Sequence, residues 1–411
     1  MKEVEKELKI LSRNCEKIIP SDGLKEKLLL SKKEKRPLKI KCGADPSAPD
    51  LHLGHLVILR KLKQFQDLGH QIIIIIGDFT AQIGDPSGRK KTRPQLSEKE
   101  VKENAKTYLD QLGKVLDLKK TKVLFNSQWF SQMKLKEVIE LASYFSVAQI
   151  LERDDFKERF KNQIEIKLHE FLYPLLQGYD SLITEADIEI GGTDQEFNML
   201  VGRFLQQAKG KLAQIVITMP LIEGLDGKRK MSKSYGNYIG IYEEPREIYG
   251  KVMSLPDKLM IKYFRLLTDF SEKEIKNFEE GLKKGKIHPR NLKAKLAFEI
   301  VKEIWGEKKA QKAQDWFESV FKKREMPKEI EEIELSSKKV NLPKILAEKK
   351  ILPSRSEVKR LISQGAIKIL KKEGDKRIEI PVKTFEISLK ESVVLKIGKK
   401  KFLKLSFKKS S

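Results

Sequence analysis

The sequence predicts an α/β fold, followed by helices and then by a small, strongly basic α/β unit at the C-terminus. Three observations carry this. Pro37-Leu-Lys-Ile-Lys-Cys-Gly43 reads as a strand ending on glycine and Gln71–Gly77 as another, with a helical stretch between them. Strand, helix and strand at that spacing make a βαβ unit. Ile72 to Ile76 is an unbroken isoleucine run, the composition of a strand covered on both faces in a parallel sheet. Residues 336–411 hold 22 Lys and Arg against 7 Asp and Glu, so +15 of the chain's +25 falls on 76 residues whose apolar positions remain regular.

The elements follow in order. The first thirty-odd residues, 1–35, read as a charged amphipathic helix followed by a loop. After the first strand comes a loop with Pro46 and Pro49, then a helix from about Leu51 to Leu68, with Asp50 as cap and Gly69 as stop. Residues 98–170 read mostly as charged amphipathic helices. Asp187–Gly191 and Gln214–Met219 look like further strands, with a helix at Gln195–Gln207 between them. Residues 239–323 are again helical, and 324–339, polar and partly acidic, read as a linker. Beyond it, Ile345, Leu346, Leu352, Val358, Leu361, Ile362, Ile367 and Ile369 form a core pattern, with alternating strands from Ile378 on.

Composition narrows the function classes. A chain of 411 residues suggests two or three domains. The charged fraction, 35%, exceeds the roughly 25% of an average globular protein, and a net charge of +25 favours a polyanionic partner. No apolar run approaches the ~20 residues of a membrane span, so no membrane role is expected. Cys15 and Cys42 are the only cysteines; they make no disulfide framework, and with five histidines no zinc spacing arises, so no protein-held metal is expected. The charged start, Met1–Ile10, has no signal-peptide pattern, which makes the cytoplasm the expected compartment.

Three constellations suggest chemistry. Gly43-Ala-Asp45-Pro-Ser47-Ala-Pro-Asp-Leu-His52-Leu-Gly54-His55 lies at the turn from strand into helix, where free N–H groups and the helix dipole suit a phosphate. His52 and His55 share a helix face, and Gly54 leaves room for close approach. Lys230-Met-Ser232-Lys233-Ser234 is a loop able to grip a polyphosphate, although in so lysine-rich a chain a solvated loop is the commoner reading. Tyr173, Gln177 and Asp180, at i, i+4 and i+7, form one polar helix stripe among leucines, with Pro174 expected to kink that helix.

Together the His-Leu-Gly-His turn and the Lys-Met-Ser-Lys-Ser loop resemble the paired signature of class I aminoacyl-tRNA synthetases, and the whole chain from about residue 35 resembles the bacterial tyrosyl-tRNA synthetases. Gly84-Asp85-Pro86-Ser87-Gly88, the Tyr173 stripe and Gly191-Gly192-Thr193-Asp194-Gln195 match that family too. The resemblance implies a Rossmann-like catalytic domain over 36–225, with a helical insertion near 125–165 that forms a homodimer interface. It implies next a signature loop and helical domain over 226–323, the linker, and a small RNA-binding domain over 340–411. It also implies an ATP-dependent ligase of L-tyrosine to tRNA(Tyr), with magnesium accompanying ATP and no prosthetic group.

By the same resemblance, Asp180 meets the tyrosine hydroxyl, Gln177, Tyr173 and Asp85 bind tyrosine around its amino group, and Gln195 also belongs to the tyrosine site. Gly43, Asp45, Ser47, His52, Gly54, His55, Gly192, Asp194, Lys230, Ser232 and Lys233 contact ATP or the adenylate, and His52, His55, Lys230 and Lys233 act in catalysis. Many members carry a tyrosine where this chain has Lys41, which leaves Asp180 more of the hydroxyl recognition. A tryptophanyl enzyme shares both signatures, but the stripe and the basic tail favour tyrosine. The tail resembles a small RNA-binding module of a ribosomal protein: Ser354 and Glu357 make a capping box, and Arg355, Lys359 and Arg360 stand ready for phosphates.

Overall fold

The computed structural model describes residues 1–46, 49–87, 96–321, 330–335, 339–373, 376–389, 392–398 and 401–407. The chain opens with α1 (Lys2–Leu11), β1 (Lys17–Ile19) and α2 (Gly23–Glu34), then β2 (Lys39–Ala44), α3 (Leu53–Asp67) and β3 (Gln71–Ile76). The short α4 (Thr80–Ile83) and α5 (Glu98–Leu112) lead to β4 (Thr121–Phe125). An insertion follows: α6 (Ser127–Phe130), α7 (Leu135–Ser143), α8 (Val147–Leu151) and α9 (Asp154–Lys161). Then come α10 (Leu168–Thr184), β5 (Ile188–Gly192), α11 (Glu196–Ala208) and β6 (Ile215–Met219). Helices α12 (Pro245–Met253), α13 (Met260–Leu267), α14 (Glu272–Lys283), α15 (Pro289–Trp305) and α16 (Glu307–Phe321) complete the helical stretch.

These strands form a sheet in the order β1-β6-β5-β2-β3-β4, parallel except for the β1–β6 pair. From β2 the chain winds through α3 to β3 on one side. From β5 it winds through α11 to β6 on the other. The carboxyl ends of β2 and β5 therefore flank the point where the winding reverses, which is where open α/β sheets leave a crevice. The isoleucines of β3 and Ile188, Ile190, Ile215 and Ile217 are almost wholly buried, as parallel strands with covered faces require.

Several expectations are corrected. The N-terminal segment is not one helix and a loop: β1 joins the sheet edge and α2 buries Leu24 and Leu28. Three residues followed by Pro20 carry too little alternation to reveal such an edge strand. Residues 98–170 contain β4, which among the described residues pairs only with β3, so its apolar signal is weak. Helix α3 starts later than expected and its cap is His52, not Asp50, whose carboxylate faces Lys233 at 3.3 Å instead.

The chain divides into two compact units, Met1–Gln311 and Lys312–Ser411. In the second unit, β7 (Glu331–Leu335), β8 (Lys339–Asn341), α17 (Leu342–Glu348), α18 (Arg355–Ser363), β9 (Ile367–Glu373), β10 (Lys376–Pro381), β11 (Glu386–Ser388), β12 (Val393–Ile397) and β13 (Lys401–Phe407) enclose one core of Leu342, Leu346, Val358, Ile362, Leu395 and Leu403. The expected linker therefore contains a strand: β7 pairs in parallel with β13. Residues 322–329 and 336–338 of that stretch lie outside the described residues. Ser354 caps α18 through Glu357 N–H, but the expected reciprocal half of the box is replaced by a Glu357–Arg360 ion pair.

Asp187, just before β5, binds the N-terminal segment to the sheet. It accepts from Lys27 Nζ at 3.2 Å, from Arg36 Nη1 at 2.7 Å and from Lys39 N–H at 3.0 Å. Burial pushes its carboxyl pKa up, but Arg36, the Lys39 amide and Lys27 outweigh that and hold it below the ordinary value. Its contribution is present above the unfolded carboxylate range and fades as pH falls through the lowered pKa. Asp187→Ala, which strands Lys27 without its partner, is expected to cost about 3–5 kcal/mol in urea unfolding. A cost below about 1 kcal/mol, the range of an exposed pair, would contradict this.

Candidate active site

At the crevice lies a cavity of about 310 Å³. Its wall takes Cys42–Asp45 from the end of β2, His52, Gly54 and His55 from the start of α3, Asn126 after β4, the stripe of α10, and Glu189–Gly192 from β5. Of the residues expected from sequence, Gly43, Asp45, His52, Gly54, His55, Asp85, Tyr173, Gln177, Asp180, Gly192, Asp194, Gln195, Lys230 and Ser232 all line it. Lys233 stands beside it, paired with Asp50. Ser47 lies outside the described residues, as does Gly88. Arg355, Lys359 and Arg360 belong to the C-terminal unit; Arg355 and Arg360 pair with Glu348 and Glu357, and Lys359 stands 5.6 Å from the Phe385 ring.

One end is built from imidazoles and lysines. His52 Nδ1 accepts from Gly54 N–H, and His55 Nδ1 accepts from His52 N–H, each at 3.1 Å. Both Nδ1 atoms are acceptors, so in the neutral rings the proton sits on Nε2, the remaining donor. Burial first, then His55, Lys233 and Lys230, lowers the His52 pKa to about 2. Burial and Lys233 lower that of His55 to about 4, against a smaller opposing pull from Asp194. A Cβ on Gly54 would lie 2.9 Å from the His52 ring, so glycine also makes the seat for the capping imidazole. Lys230 Nζ meets Asp194 Oδ2 at 2.8 Å. Asn237, buried and missed by the sequence reading, clamps the loop by accepting from Ser232 N–H and donating to the carbonyls of Arg229 and Lys230.

The opposite end is a buried carboxylate. Asp180 accepts from Trp129 Nε1 at 3.0 Å and from Asn126 Nδ2 at 3.4 Å. Burial raises its pKa to about 7, against Lys41 and the two donors. Trp129 and Asn126 also escaped the sequence reading. They follow β4, and recognising that strand would have marked its carboxyl end as a site. Lys41 does not face the cavity. It is wholly buried and donates to Glu189 Oε1 at 2.9 Å, Ser181 Oγ at 2.7 Å and Gln177 O at 3.0 Å.

Between these ends, acceptors gather. Tyr173 donates its hydroxyl proton to Asp45 Oδ2 at 2.8 Å, leaving the oxygen as an acceptor. Thr80 holds the other Asp45 oxygen, and Gly77 admits both, since a Cβ there would lie 2.0 Å from Asp45 Oδ1. Gln195 Nε2 donates to Asp85 Oδ2 at 2.9 Å, and Asn198 Nδ2 donates to Gln177 Oε1 and Gln195 Oε1 at 2.9 and 3.1 Å. The cavity thus offers donors and cations for phosphate, acceptors for an ammonium, and a buried carboxylate for a hydroxyl.

The chain is similar to known proteins along nearly its whole length. The family of tRNA synthetases class I (W and Y) matches residues 32–322, and a tyrosine-tRNA ligase SYY-like C-terminal domain matches residues 322–405. A tyrosine-tRNA ligase of Thermotoga maritima is 51% identical over 402 residues, covering 98% of each chain. Tyrosine-tRNA ligase 2 of Clostridium acetobutylicum is 51% identical over 405 residues, covering 98% of this chain and 99% of its own. Among solved structures, a tyrosyl-tRNA synthetase of Archaeoglobus fulgidus complexed with L-tyrosine superposes with a TM-score of 0.61 at 22% identity, over 76% of this chain and 99% of that one. It attests the fold.

The imidazoles give a direct check. His52 and His55 should keep neutral rings protonated at Nε2 from about pH 8 to about pH 5 in nitrogen-15 NMR. Titration of either ring above about pH 6 would contradict the burial that lowers both pKa values.

Proposed function

The chain belongs to the class I tRNA synthetases, within the tyrosine-tRNA ligases, and we propose that the cavity described above is where it joins L-tyrosine to ATP before charging tRNA(Tyr). One observation carries the assignment of substrate ends. A buried Asp180 carboxylate, held by Trp129 and Asn126, closes one end, while Lys230, Lys233 and two neutral histidines stand at the other. A phenol hydroxyl donates to the carboxylate. The ammonium meets Tyr173, Gln177, Asp85 and Gln195. The triphosphate meets the lysine loop, the imidazole Nε2–H groups and the first turn of α3.

In the first step a tyrosine carboxylate oxygen bonds to the α-phosphorus of ATP as the bond to the β-phosphate oxygen breaks, and pyrophosphate leaves. The nucleophile is the substrate's own, so the protein contributes position and charge. Lys230 leaves Asp194, and Lys233 leaves Asp50, to follow charge onto the departing pyrophosphate. Asp194 and Gly192 are then free to meet the ribose, with Asp45 and Gly43 beside the adenylate. ATP brings its magnesium counterion, and no prosthetic group takes part. In the second step a ribose hydroxyl at the tRNA 3′ end attacks the tyrosyl carbonyl, and AMP leaves.

The C-terminal unit, basic and matched by the ligases' own C-terminal domain, supplies the tRNA hold, with Arg355 and Arg360 exchanging carboxylate partners for phosphates. The insertion exposes Leu135, Ile139, Val147 and Phe160, and we assign the homodimer contact to it. Among the described residues no helix is long and apolar enough to cross a membrane, and the reading places the enzyme in the cytoplasm.

ATP–pyrophosphate exchange with each of the twenty amino acids tests the reading, and only tyrosine should support rapid exchange; exchange with tryptophan instead would overturn it. Removal of residues 322–411, which takes strand β7 with the rest of its sheet, should leave exchange nearly unchanged. It should weaken tRNA binding at least about tenfold and flatten its salt dependence. Normal charging by the truncated chain would contradict the tRNA role of the tail.

A further inference from the structure

Arg153 lies at the turn between α8 and α9, behind the part of the wall formed by Asp85, Gln177 and Gln195 and not itself among the lining residues. Its side chain is 4% exposed. Nη1 donates to Asn198 Oδ1 at 3.1 Å, and Nη2 donates to Ser87 Oγ and stands 3.6 Å from Asp85 Oδ1. Nε pairs with Asp155 at 2.7 Å, and the guanidinium carbon rests 5.1 Å from the centre of the Phe156 ring. Such a set of partners leaves the planar fork little freedom to turn.

A guanidinium only donates, and that polarity propagates. Asn198 must offer its oxygen to Arg153, so its nitrogen is the group that meets Gln177 Oε1 and Gln195 Oε1. The nitrogens of those glutamines are then committed elsewhere: Gln177 to Glu189 at 3.3 Å, and Gln195 to Asp85 Oδ2 at 2.9 Å. Ser87 accepts from Arg153 and passes its own proton to Asp85 Oδ1 at 2.6 Å. Two routes from one donor thus end on Asp85. Turning Asn198 over would set its N–H₂ against the guanidinium and its oxygen against two others. Without the guanidinium, the Asn198 oxygen loses its donor and Asp85 loses both its neighbouring cation and the fixed Ser87 hydroxyl, so the relay is held from its carboxylate end alone.

We propose that Arg153 is a positioning residue for the α-amino group of the amino-acid substrate, bracing Asn198 behind the two glutamines and fixing the seat of Asp85. The helical insertion, through this one side chain, holds the ammonium subsite from behind. This rests on the assignment of Asp85, Gln177 and Gln195 to the ammonium.

The experiment compares affinities for L-tyrosine and for desaminotyrosine, which lacks the α-amino group, in the full chain and in Arg153→Met, Arg153→Lys and Asp85→Asn. Arg153→Met should lose about 10- to 100-fold in tyrosine affinity while desaminotyrosine changes less than about twofold. The KM for ATP should stay near its starting value. Arg153→Lys, still donor-only, should recover part of the tyrosine affinity and keep the loss selective. If Arg153→Met does not fold, a selective loss in Arg153→Lys carries the same meaning. Equal losses for both ligands, or no loss of tyrosine affinity, would overturn the proposal. Asp85→Asn separates the two layers. If it weakens tyrosine selectively and Arg153→Met does not, only the role of Arg153 falls. If Asp85→Asn also fails to distinguish the ligands, the ammonium assignment itself falls.

Discussion

The ion pair between Lys41 and Glu189 is the constraint on which the site depends. Both side chains are almost wholly buried, with exposures of 0% and 1%, so neither charge is tolerable without the other. Lys41 comes from β2, Glu189 from β5, and the ammonium also takes Gln177 O and Ser181 Oγ of α10. Glu189 in turn accepts from Ser181, Gln177 and Gln214. Two strands and a helix are therefore joined at one point beneath the crevice, and the Tyr173–Gln177–Asp180 stripe is held at a defined rotation above it. An apolar pair of equal volume would pack as well; what the charges add is register. A helix turned by one residue would strip the buried pair of its Ser181 and Gln177 hydrogen bonds.

The same floor sets the chemistry of the walls. Asp180 shares its surroundings with Lys41, which favours its ionised form, and with Glu189, which opposes it; burial outweighs the balance and brings its pKa to about 7. At the other end the logic inverts. Lys230 and Lys233 already supply positive charge, and two imidazolium ions beside them would repel both lysines and each other. Burial keeps His52 and His55 neutral, so they act as fixed donors rather than as further cations. Asp194 and Asp50 pair with the two lysines, which balances the charge of their loop.

Much of this was legible in the sequence. The isoleucine strands, the polar stripe of α10 and the histidine turn announce themselves because each carries a period or a composition that burial demands. Strands β1 and β4 did not, since an edge strand is only half covered and its alternation is diluted. The cost was specific: Asn126 and Trp129, which hold Asp180, follow the strand that was missed. Strand β7 was hidden for the same reason, with Ile333 and Leu335 inward and glutamates outward in a stretch too acidic to suggest a sheet. Arg153 and Asn198 left no signal at all. An arginine and an asparagine on helical segments look like solvent-facing residues until the fold brings them behind the wall. The cap at His52 was assigned to Asp50 because carboxylates are the commoner caps, and no local rule foresees that Lys233 claims Asp50 from the far side of the crevice.

The central claim is that a carboxylate at the closed end of the cavity selects the substrate by accepting its hydroxyl proton. It is tested most directly by the protons exchanged on binding. Burial raises the Asp180 pKa to about 7, so near that pH its acid and carboxylate forms are both populated in the free protein. A phenol hydroxyl that donates to it favours the carboxylate, whereas a bare ring buries it further and favours the acid. Calorimetric titrations at about pH 7 in buffers of different ionisation enthalpy measure this difference. The account predicts that L-tyrosine binding releases protons and that L-phenylalanine binding does not. Proton uptake on binding tyrosine, or equal release with phenylalanine, would contradict it.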